Sequence, residues 1–169
     1  YRRSGDLRQE VKSLAATMPL YYKLTADHGL GVEYIMEAEG YYYTGDFENA
    51  EIVSHKAFQM AKDGRQIGSI VCALFLQIQL AFVQGNLTVA LKLMEEMRAR
   101  IRSSRQVLYL HTADLCEAFV FAHLGQPDNL VAWIGAGDFS ASRLLAPVLA
   151  YFNIIYGRVM LTTGQERKL

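Results

Sequence analysis

Cysteine, proline and tryptophan are scarce in this chain of 169 residues, which has 2, 3 and 1 of them. Cys72 and Cys116 lie inside apolar segments with no partner at a motif spacing. That excludes a disulfide-stapled scaffold and fits reduced core thiols in a cytosolic protein. Net charge is missing too: 17 basic residues balance 17 acidic ones. With no basic excess to contact phosphates, the chain is not a nucleic-acid binder in its own right. No apolar run reaches the ~18 residues of a membrane span, and cytoplasmic localisation is expected. The chain opens YRRSGDL, without methionine or the apolar core of a signal peptide, and closes TTGQERKL in mid-pattern. It reads as a segment of a longer protein.

Catalytic constellations are absent as well. His28, His55, His111 and His123 form neither His-Glu-x-x-His nor a Cys/His cluster of metal spacing. There is no Gly-x-Ser-x-Gly, and GAGDFS lacks the lysine and spacing of a phosphate loop. His111 and Asp114 share a helical face, where a surface or groove pair explains them better than a dyad. The expectation is a non-enzyme with no cofactor and no metal.

What is present is a period. SGDLRQEV, TGDFENAE, QGNLTVAL, LGQPDNLV and TGQERKL carry Gly5, Gly45, Gly85, Gly125 and Gly164, spaced 40, 40, 40 and 39 residues apart. A glycine just past a helix can take the left-handed conformation that closes the last carbonyls. The Asp or Asn that follows at 6, 46 and 86 can accept from the free amides of the next helix. Asp6 and Gln9 have capping-box spacing, and Pro127 suits a first helical position.

The flanks agree with helices. Ala90, Met94, Met97 and Ile101 share one face, as do Ala50, Ala57 and Ala61. Leu115, Phe119 and Ala122 do the same, and no segment alternates with period two. The pattern predicts helices near 7–17, 31–44, 47–62, 66–84, 87–102, 106–124, 127–134 and 142–163, with a loop at 135–142. Residues 18–31, broken by Pro19 and TADHGLG, hold a short extra turn or lengthen the next helix. Pro147 falls near the first turns of its helix. The basic run Arg98 to Arg105 is read as a helix end opposing the dipole, and Trp133 as a packing residue.

Helical pairs of this kind bury their apolar faces only by stacking. The period matches HEAT or armadillo units by length, but the residues resemble the tetratricopeptide repeat: Ala38, Tyr41, Gly45, Asp46, Phe47, Ala50 and Ala57. That likeness implies an all-α fold, a right-handed superhelix or α–α solenoid of helical hairpins, with 1–169 as a single repeat domain. It also implies a concave groove lined by the first helix of each pair. Its offsets from the turn glycine point to Ile35, Glu39, Tyr42 and Tyr43, then Phe75, Gln79, Phe82 and Val83. Leu115, Phe119 and His123 follow, and last Ile154, Arg158 and Leu161. Such a groove suits a peptide, a partner helix or a small-molecule inducer, although for any single aromatic in the set packing between repeats is the better explanation. Ile35 and Glu39 stand where co-chaperone repeats place basic and amide residues, which excludes a carboxylate clamp.

Longer phrases resemble one family. SGDL, LTADHGLGVEYIMEAEGYYYTGDFENAEIVSHKA, LGQPDNLVAWI and LAYFNIIYGRVMLTTG are similar to the helical repeat region of LuxR-type bacterial transcriptional regulators related to the maltose activator. The resemblance implies a middle module that receives an inducer or a protein partner and relays that state to ATP-binding and DNA-binding domains elsewhere in the parent protein. The alternative is a protein-interaction scaffold with no sensing role.

Overall fold

The structure, a computed structural model, describes residues 31–106, 109–126, 129–136, 157–161 and 164, together with Gln9, Lys12, Ser13 and Ala16. Every regular element among the described residues is helical. In order they are α1 (Val32–Thr44), α2 (Phe47–Asp63), α3 (Ile67–Val83), α4 (Leu87–Ser104), α5 (Leu110–His123) and α6 (Ala132–Ala136). Residues 157–161 are helical as well, as are Gln9, Lys12, Ser13 and Ala16. The expectations for 18–30 and for the 142–163 helix outside 157–161, Pro147 included, lie outside the described residues. No helix among those described is long and apolar enough to cross a membrane.

Of the predicted turn glycines, Gly45, Gly85 and Gly125 close their helices, and Gly5 lies outside the described residues. Gly45 has φ 84°. Its N–H donates to the Tyr42 carbonyl at 3.2 Å, and that of Asp46 donates to Tyr41 at 2.9 Å. This doubly bonded C-terminal turn recurs at Gly85–Asn86 and Gly125–Gln126, and Gly164 also has positive φ. Asp46 then accepts from the Asn49 amide at 3.2 Å, and Asn86 from the Val89 amide at 3.3 Å, so each caps the helix that follows.

Midway between these glycines lies a feature that the sequence did not disclose. Arg65 and Arg105 are also left-handed, with φ 53° and 56°. The Arg65 N–H donates to Lys62, that of Gln66 to Ala61, and that of Arg105 to Arg102. Left-handed turns therefore close helices at residues 45, 65, 85, 105 and 125, one every twenty residues. A signal exists in hindsight: Arg-Gln followed by a β-branched residue at 65–67 and again at 105–107. A left-handed arginine is strained where glycine is not. Arg65→Gly is therefore expected to stabilise the chain by about 0.5–1 kcal/mol after the extra entropy of the unfolded glycine is deducted. Scanning calorimetry checks this; an unchanged or lowered melting temperature contradicts it.

The chain divides into two compact units, Tyr1–Leu93 and Met94–Leu169. In the first, α1 packs on α2, α2 on α3, and α1 also on α3. Ala50, Ser54, Ala57 and Ala61 form a fully buried stripe of small side chains along α2. Ala38, Ala50, Leu76 and Leu80 make a shared core against which Tyr41, Tyr42 and Val53 pack. The middle of α3, Ser69 to Ala81, is buried on every side, as expected of a helix apolar all round. Gly31, with φ 76°, starts α1 against the α2 backbone: a Cβ there would lie 2.8 Å from the Ala57 carbonyl oxygen.

In the second unit Met97, Ile101, Leu115, Cys116, Val120 and Ile134 are buried. Two boundaries differ from the expectation. The α5 helix begins at Leu110 rather than 106, and the Tyr109 N–H before it donates to the Gln106 carbonyl at 3.1 Å. The Asn129 N–H likewise donates to the Gln126 carbonyl, and α6 begins at Ala132 rather than 127 and extends through Gly135 and Ala136, where the sequence predicts a loop. Cys72 and Cys116 are both buried, and neither is in a disulfide.

Candidate binding site

In the first unit the forty-residue translation maps α1 onto α3: Ile35 onto Phe75, Glu39 onto Gln79, Tyr42 onto Phe82, Tyr43 onto Val83. The two helices touch, so equivalent positions lie on neighbouring rods. The first two pairs, Ile35 with Phe75 and Glu39 with Gln79, are buried. Tyr42 and Phe82 are half-buried, and Tyr43 and Val83 are exposed. The Tyr42 ring meets Tyr43 edge-on at 5.1 Å and Phe47 at 5.7 Å, while packing on the Ala38–Leu80 core. It thus serves packing and surface together, as amphipathic aromatics do.

The polar groups of α3 point in different directions. Gln77 Nε2 donates to the Ser54 carbonyl at 3.3 Å and lies 3.4 Å from His55 Nδ1, so it faces α2. Gln79 is two residues on, rotated by about 200°, and so occupies the flank of α3 turned from α2, with Phe75 and Phe82.

A charged cluster lies between α1 and α2. Lys56 Nζ stands 4.3 Å above the Tyr34 ring, a cation–π contact. Burial pushes the Glu37 carboxyl above its ordinary 4.5, and Lys56 pulls it back only in part. A carboxyl raised on folding contributes stability below its unfolded value, and that contribution is lost as pH rises through the folded one. Glu37→Gln, which mimics the protonated acid, is expected to raise the melting temperature at pH 7. The gain should shrink toward pH 4, and a gain that grows on acidification contradicts this assignment.

In the second unit three predicted residues come together. The Phe119 and His123 rings lie 4.3 Å apart, and His123 Nδ1 is 2.6 Å from the Phe119 carbonyl oxygen. Arg158 Nη1 is 3.0 Å from His123 Nε2. The carbonyl requires a proton on Nδ1, which leaves Nε2 to accept from the guanidinium. His123 and Arg158 are exposed, Phe119 and Leu115 are buried, and Leu161 is exposed. Ile154 lies outside the described residues.

The basic run resolves into separate roles. Arg98 donates through Nη2 to Asp114 at 2.7 Å and through Nε and Nη2 to Glu117, joining α4 to α5. The bonds to Glu117 hold its guanidinium above its ordinary range against the opposing effect of burial, with Asp114 assisting. Trp133 Nε1 donates to the other Asp114 oxygen at 3.0 Å, and the His111 ring lies 5.4 Å from the indole. Asp114 thus bridges Arg98 and Trp133, a role the His111–Asp114 spacing did not reveal. Arg100 pairs with Glu96 one turn back, Arg102 sits in the last turn of α4, and Arg105 forms the turn. Among the described residues no three His, Cys, Asp or Glu side chains converge as metal ligands.

Comparison with protein-family models, with curated proteins and with solved structures gives no match for this chain.

Proposed function

We propose that the chain is a tetratricopeptide-like solenoid module of a LuxR-type regulator related to the maltose activator, with a first-helix face that takes a small-molecule inducer or a protein partner. One observation carries this reading: equivalent residues forty apart occupy neighbouring helices α1 and α3, with half-buried and exposed aromatic and apolar side chains beside buried polar ones. The sequence resemblance supplies the parent class, with ATP-binding and DNA-binding domains outside these residues. Occupancy of the face shifts the parent between two arrangements, and only a difference in affinity for the two can drive that shift.

Substituting Tyr42, Phe82 and Arg158 by alanine is expected to abolish the inducer response of the parent regulator while the chain keeps its helical circular dichroism. A response that survives removes the assignment of this face. A scaffold without sensing accounts equally for Ile35, Phe75 and Phe119 as buried packing residues. Thermal shift against metabolites beside pull-down of proteins separates the two, since a scaffold responds only in the second.

A further inference from the structure

We draw no further inference here: the strongest candidate, the acidic edge of α1 where Glu33 Oε1 is buried without a hydrogen-bond partner among the described residues, one turn before Glu37, is a carboxylate cluster on half-buried side chains, and nothing in the structure shows what covers it.

Discussion

Gly31→Ala is expected to destabilise the chain by about 2–4 kcal/mol, lowering the melting temperature by about 5–15 °C. Two costs combine. The backbone φ of 76° is a conformation that alanine adopts only with strain of about 1 kcal/mol. The new Cβ would also lie 2.8 Å from the Ala57 carbonyl oxygen and 3.4 Å from the Ala61 amide nitrogen. Both are backbone atoms of α2, so no side chain can turn aside, and α1 must lift from the small-residue stripe. Gly45→Ala separates the two costs, because a Cβ at Gly45 meets nothing within 4 Å at φ 84°. It should cost about 1 kcal/mol, the conformational part alone. Equal losses in the two variants, measured by calorimetry, contradict the close approach of α1 to α2.

Arg98→Met is expected to cost about 2–3 kcal/mol. Methionine keeps the stem but leaves Asp114 and Glu117 without their shared cation. The carboxylates lie one turn apart on α5 and are mostly screened from water, at 14% and 21% side-chain exposure, so bulk solvent cannot make good the loss. Arg98→Lys retains the charge without the fork that reaches both carboxylates and should fall between. Adding Asp114→Asn and Glu117→Gln to Arg98→Met should recover part of the loss. The only tryptophan, Trp133, bonds Asp114, so its fluorescence reports the network locally. An Arg98→Met chain with wild-type melting and an unchanged emission spectrum contradicts this role.

The parts of the fold legible in the sequence are those set by local chemistry. Gly45 and Asp46 mark a boundary because one tolerates φ 84° and the other caps, and the α1, α2 and α3 ends follow within a residue of expectation. Arg65 and Arg105 were hidden because nothing about arginine asks for left-handed backbone; the surrounding packing imposes it. The late start of α5, at Leu110, has no glycine or proline near it to announce it.

For the candidate site, the period supplied the equivalences but not the exposures. On a helix as uniformly apolar as α3, periodicity has little contrast, so Phe75 and Val83 could not be told apart, although one is buried and the other open. Arg98 was read with its neighbours as a helix end, because the carboxylates it bonds lie 16 and 19 residues away. Glu117 went unremarked for the same reason.

The claim beneath the fold and the proposed binding face is a left-handed turn every twenty residues, which in the first unit sets positions forty apart on the touching helices α1 and α3. Backbone chemical shifts and three-bond amide–Hα couplings, assigned by nuclear magnetic resonance, measure it most directly. Positive φ at Gly45, Arg65, Gly85, Arg105 and Gly125 is the result this account predicts. Right-handed helical values at Arg65 and Arg105, with helix continuing through either, would contradict it.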